Sequence, residues 1–117
     1  MEVKLAPVKG SPAVKSNRVY VGDIDGKFYC LATADGAKQW EFETGGEITS
    51  GANFYKDSIL IGSHDQTLYA LDAAGKKQWA FATDGPVNGS PALVGNKTFV
   101  AGCDSLLHVI DADTGLE

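Results

Sequence analysis

The sequence is short of basic residues. Ten Lys and Arg stand against fifteen Asp and Glu in 117 residues, a net charge of −5. A protein that tracks a phosphate backbone needs clustered Lys and Arg; here they are scattered, so nucleic acid is excluded as a partner class. Imidazoles are scarce as well. His64 and His108 are the two histidines, and they do not share the spacing of a metal-ligand set. No apolar run approaches the roughly 20 residues of a membrane-spanning helix. The opening Met-Glu-Val-Lys-Leu-Ala-Pro lacks the apolar core of a secretory signal. The two cysteines, Cys30 in a predicted strand and Cys103 in a predicted turn, are read as thiols rather than as a disulfide. They do not indicate a compartment. No segment sustains an apolar period of 3.6, so no substantial helix is expected.

Glycine, by contrast, is abundant. There are 14, where average usage would give roughly 8, and they mark a periodic sequence. Tyr29 and Tyr69 are 40 residues apart, with His108 at the third copy; Trp40 and Trp79 are 39 apart. Phe42 matches Phe81, Thr44 matches Thr83, and Gly36, Gly75 and Gly115 share one position. Gly10-Ser11-Pro12-Ala13 recurs as Gly89-Ser90-Pro91-Ala92. We divide the chain, taken as one domain over 1–117, into repeats 10–49, 50–88 and 89–117, the last stopping before its expected Trp.

Each repeat reads as four short strands separated by Gly, Asn, Asp and Ser. The first strands are predicted near 13–14, 53–55 and 92–94, and the second at 18–21, 58–61 and 98–101. The third are predicted at 27–31, 67–71 and 106–110, and the fourth at 38–43 and 77–82. Asp25-Gly26 is a strong short-hairpin signal, and Asp65-Gln66 and Asp104-Ser105 take its place in the other repeats. Phe28, Tyr29, Cys30 and Leu31 give the third strand no polar face, so both faces of its sheet must be covered. Four-stranded sheets packed face to face around an axis, at a period near 40, predict an all-β fold of about three antiparallel propeller blades.

Leu31-Ala32-Thr33-Ala34-Asp35-Gly36-Ala37-Lys38-Gln39-Trp40, its second copy ending Gly75-Lys76-Lys77-Gln78-Trp79, and Asp111-Ala112-Asp113-Thr114-Gly115 carry the next step. These segments resemble the pyrroloquinoline-quinone (PQQ) repeat, Ala-x-Asp-x-x-Thr-Gly-x-x-x-Trp. The first two copies lack the Thr, and the second is one residue shorter. A WD repeat is not matched, because Glu41 and Ala80 follow the two Trp. The resemblance implies that Trp40 and Trp79 dock each blade onto the next, beside the turn made by Gly36, Gly75 or Gly115. A buried Trp of this kind would hide ~150–250 Å². The family contains quinoprotein dehydrogenases, which hold PQQ and calcium on the axis, and non-catalytic propellers of the BamB type. It implies a periplasmic or extracytoplasmic setting.

Other chemistry is weighed against structural readings. Asp23-Ile24-Asp25-Gly26 reads as a hairpin turn rather than a calcium loop, since Lys27-Phe28-Tyr29 adds no ligands. Ser63, Ser90 and Cys103 lack a repeat-consistent base and orienting acid. Asp35, Asp72 and Asp111 recur at or near one repeat position, which marks turn chemistry. The expectation is a non-catalytic module for scaffolding or protein interaction, with no catalytic, metal or cofactor residue of its own. PQQ and calcium would belong only to a larger parent. Three blades cannot close a ring, so the partners expected are further blades of a longer chain or a second copy, with residues 2–5 a candidate closure strand. Loops 23–26, 45–48, 63–66 and 85–87 would meet a protein partner. The alternatives are a piece of a PQQ-dependent dehydrogenase and a sensor propeller attached to another domain.

Overall fold

The computed structural model describes residues 2–87 and 89–117; the repeat boundary placed at Asn88 and the domain start at Met1 lie outside them. Eleven strands form three antiparallel sheets. The first is β1 (Ala13–Lys15), β2 (Arg18–Gly22), β3 (Lys27–Ala32) and β4 (Lys38–Glu43), hydrogen-bonded in chain order. The second is β5 (Asn53–Tyr55), β6 (Ser58–Ser63), β7 (Thr67–Leu71) and β8 (Lys77–Ala82), again in chain order. The third contains β9 (Ala92–Val94), β10 (Lys97–Ala101) and β11 (Leu107–Asp111). The described residues contain no helix. Strand ends differ from the sequence reading by a residue or two: β10 starts at Lys97, and β11 starts at Leu107 because Leu106 completes the preceding turn.

Turn chemistry fixes the register. Gly26, Gln66 and Ser105 occupy one repeat position and are all left-handed, at φ +84°, +72° and +64°. Glycine takes that conformation without steric cost. Gln66 and Ser105 are held in it by side-chain caps: Asp65 Oδ1 accepts from the Thr67 N–H and Asp104 Oδ1 from the Leu106 N–H. In the first repeat Asp23 Oδ1 accepts from the Asp25 and Lys27 amides. The run 23–26 thus closes a hairpin. In the third-to-fourth strand turns, Asp35, Asp72 and Asp111 accept from the Ala37, Ala74 and Asp113 amides. A bulge then displaces Gln39 and Gln78, so that Cys30 faces Trp40 and Ala70 faces Trp79.

The core lies between sheets. Tyr20, Phe28, Cys30 and Trp40 of the first blade pack against Phe54, Ile59, Ile61 and Leu71 of the second. Leu68, Trp79 and Phe81 meet Val100 and Ile110 of the third. Burying each large apolar side chain contributes about 1.5–3 kcal/mol, and no single sheet could bury both its faces alone. Coverage of both faces holds for β3 and β7 but not for β11. There His108 and Ile110 are buried against blade two, while Leu107 and Val109 on the other face are 65% and 39% exposed. The first blade's outer face is covered in part by the chain itself. Leu5 packs on Val21, Tyr29 and Leu31, and the Ile24 amide donates to the Pro7 carbonyl. Residues 2–5 are therefore not a strand here. In the single chain they cross the outer face of their own first blade, with Leu5 half-buried there.

Candidate functional site

Both Trp side chains reach the neighbouring blade in the same way. Trp40 Nε1 donates to the Ala73 carbonyl at 3.0 Å, and Trp79 Nε1 to the Ala112 carbonyl at 3.0 Å. Each indole lies flat on a glycine. A Cβ added at Gly75 would come within 2.5 Å of the Trp40 ring, and one at Gly115 within 2.6 Å of the Trp79 ring. Gly36, Gly75 and Gly115 all have positive φ, at +72°, +83° and +76°. Gly36 lines a shallow cleft of about 380 Å³ with Leu5, Tyr29 and Leu31 on the outer face of blade one. The indoles are only half-buried. They stand on the fourth strand at the rim, so one ring edge faces solvent. We propose the role of a blade-to-blade clasp for Trp40, Gly75, Trp79 and Gly115; Gly36, the fifth residue expected in it, lines the outer-face cleft instead.

At the opposite end, polar groups join consecutive blades. Thr44 Oγ1 donates to the Gly26 carbonyl or meets Ser63 Oγ, at 2.9 Å each. Thr83 Oγ1 lies 3.1 Å from the Gln66 carbonyl and 2.6 Å from that of Gly85. The Gly45 amide donates to Asp65 Oδ2, and the Asp84 amide to Asp104 Oδ2. Tyr69 donates to Asp65; burial, then that carboxylate, pushes its phenol up to about 12. Tyr29 is likewise pushed up to about 12, by burial first and then by Asp23. Ser63 is thus a buried structural hydroxyl, and Ser90 Oγ accepts from the Gly51 amide. His64 Nε2 and Thr49 Oγ1 share a hydrogen bond. Cys30 and Cys103 form no disulfide.

His108 occupies the Tyr position of the third repeat. Its edge meets Phe81 of blade two, Nε2 is 2.7 Å from Asp104 Oδ2, and Nδ1 contacts Glu117. Asp104, then Glu117, hold the imidazole above its ordinary value, and His108 pulls Asp104 below the usual carboxylate range. A raised folded-state pKa gives stability that is complete below the unfolded value and fades as pH rises through the folded one. A lowered carboxylate does the reverse on the acid side. The urea midpoint of the chain should therefore fall from about pH 6.5 upward. His108→Gln should flatten that alkaline limb. An unchanged limb in the variant would show that the imidazole carries no charge here.

Two packing devices were not singled out from the sequence. Ile48 and Val87, both buried, plug the inner ends of the two blade junctions. They sit so close to the second strand that a Cβ at Gly22 or Gly62 would meet them at 2.3 or 2.4 Å. The signal was present as the matched pairs Gly22/Gly62 and Ile48/Val87 at the repeat spacing.

Three such blades, joined in series by Trp and Asp side chains, define a β-propeller architecture. Residues 29–117 match the family model described as outer membrane protein assembly factor BamB, and the chain belongs to this PQQ-like repeat family. Curated protein sequences give no match. Among solved structures, BamB from Moraxella catarrhalis superposes with TM-score 0.81 at 23% identity, over 95% of this chain and 35% of that one. Quinohemoprotein alcohol dehydrogenase ADHIIG from Pseudomonas putida HK5 gives 0.83 at 22%, over 96% and 20%. The computationally designed Ika4 protein gives 0.81 at 18%, over 98% and 72%. The chain thus spans about a third of the BamB chain and a fifth of the dehydrogenase.

The sequence resemblance implies, for the quinoprotein enzymes, a quinone held with calcium, which takes six to eight oxygens. The recurring carboxylates bind the amides of their own turns, and among the described residues no three His, Cys, Asp or Glu are grouped to hold a metal.

Proposed function

We propose that this chain is a non-catalytic propeller segment of the BamB type, which holds its loop ends in place for a protein partner while its outer faces are covered by further blades. The observation that carries this reading is where its recurring polar groups point. Thr44, Ser63, Asp65, Asp104 and both indole N–H groups bond to backbone or to each other across blade junctions, and Thr83 ties the Gln66 hairpin to the Gly85 loop. The Thr, Ser and Asp groups fix loops 23–26, 45–48, 63–66 and 85–87 at one end of the stack, and the indoles hold the other end. Neighbouring blades in a longer chain are the first choice of cover, and a second copy, giving a six-blade ring, is the other. Membership of a family described by an outer membrane protein assembly factor supports an extracytoplasmic setting.

The likeness to quinohemoprotein dehydrogenases keeps a second reading, a piece of a quinone-dependent enzyme. Titrating the full-length parent with PQQ and calcium separates the two. No saturable quinone absorbance on the protein is expected. Calcium-dependent uptake would overturn the non-catalytic reading. For the outer faces, Leu107→Lys with Val109→Lys should suppress association of the 117-residue chain in light scattering. A monomer of equal stability with and without these changes would show that the face needs no cover.

A further inference from the structure

The two blade junctions differ at one corner, at the end of the stack opposite the Thr network. In the second junction, the turn of blade three carries Asp113. Its Oδ2 accepts from the Tyr55 hydroxyl at 3.1 Å, and its Oδ1 lies 3.3 Å from Lys56 Nζ. A carboxylate thus fills the corner between the first strand of one blade and the third-to-fourth strand turn of the next. In the first junction the corresponding turn residue is Ala74, since Ala73 and Ala112 both accept the indole N–H and Ala74 and Asp113 follow them. Lys15 stands where Tyr55 does one repeat later, and Arg18 lies three residues on.

At this corner Lys15, Ser16 and Arg18 replace Tyr55, Lys56 and Ser58, and the turn has no acid in the place of Asp113. Arg18 Nη1 donates to the Ala73 carbonyl, and Lys15 Nζ to the Lys56 carbonyl. Among the described residues neither enters an ion pair. An arginine has five N–H donors and a lysine three; Arg18 also hydrogen-bonds with the side chains of Tyr20 and Cys30, and Lys15 Nζ stands 5.4 Å from the centre of the Phe54 ring. Both border a cleft of about 260 Å³ that Ser16, Tyr20, Phe54, Ile59 and Ala73 also line. Asp57 is also on its lining.

We infer that this cleft binds a monocarboxylate on a short apolar stem. The carboxylate takes the place that Asp113 fills one repeat later, on Arg18 and Lys15, and the stem lies against Tyr20, Phe54 and Ile59. Charge-assisted, bidentate pairing is the strength of a guanidinium. Asp57 sets the class: its charge opposes a second negative group, so dicarboxylates and phosphate monoesters bind more weakly. A free aromatic or aliphatic acid and the C-terminal carboxylate of a peptide share this chemistry.

Amide NMR of the full chain tests the site. Phenylpropionate, its amide, and a short peptide ending in Phe with a free or an amidated C-terminus are the four probes. Saturable shifts are expected from the acid forms, confined to residues near Lys15–Arg18, Phe54–Ile59 and Ala73–Gly75. Shifts with the peptide acid alone place the source in a protein terminus, and shifts with both place it in small acids as well. Arg18→Gln should weaken binding about ten-fold or more. Ala74→Asp, at an exposed turn position, supplies the internal carboxylate and should abolish binding while the spectrum stays folded. Equal binding of acid and amide, no effect of either substitution, or no saturable shift up to about 10 mM would overturn the assignment.

Discussion

Replacing Trp40 by alanine should lower the unfolding free energy by about 3 kcal/mol, near the low end of the range for Trp truncation. The low end applies because the indole is half-buried. Two losses add. One is the ring's packing on Gly75, Tyr20 and Phe28. The other is the bond to the Ala73 carbonyl, about 1 kcal/mol. Trp40→Phe separates them, since it keeps a ring over Gly75 and removes only the donor. In a stack where each blade touches only its neighbours, stability is close to a sum of blade and junction contributions. Weakening one junction should therefore split the transition as well as shift it. Urea unfolding of Trp40→Ala followed by fluorescence of the remaining Trp79 should report a later midpoint than circular dichroism of the whole chain. Coincident curves with an unchanged midpoint would show that the indole does not hold blades one and two together. Trp79→Ala should cost less, because it releases a three-stranded sheet whose other face is already solvated.

The blades were legible because their punctuation repeats. Strand pairs joined by Asp-Gly, Asp-Gln or Asp-Ser at one spacing give the same hairpin three times, and the structure holds all three in one left-handed turn. The family was legible for the same reason. What the sequence could not display was direction across the junction. Whether Leu107 or His108 faces the neighbour depends on which side of the pleat meets the preceding blade, and a strand apolar on both sides does not say. The fate of residues 2–5 was hidden too. Their strand-like composition fits an edge, and in the single chain Leu5 packs over Tyr29 and Leu31. The corner formed by Lys15, Arg18 and Ala74 was visible only as a departure from the repeat. It becomes a site only when Asp113 is seen occupying its counterpart.

Gly75→Ala should destabilise the chain by about 3 kcal/mol, from two separable causes. An alanine held at φ +83° costs roughly 1–2 kcal/mol in backbone strain. The new methyl also meets Trp40 at 2.5 Å from Cδ2 and 2.6 Å from Cε3, which forces the indole off its carbonyl. Gly95→Ala isolates the first cause. Its φ is +59° and a Cβ there meets nothing within 4 Å, so about 1 kcal/mol is expected. The second cause appears as coupling. With Trp40 already alanine the clash disappears, and Gly75→Ala should then cost no more than Gly95→Ala does. The interaction energy in the double-mutant cycle is then about 1–2 kcal/mol. Gly115→Ala with Trp79→Ala should give the same pattern one junction later, because that Cβ meets Trp79 at 2.6 Å. Additive costs at both junctions would mean that the glycines serve their own turns alone, and the indole would then lose its seat as the element joining one blade to the next.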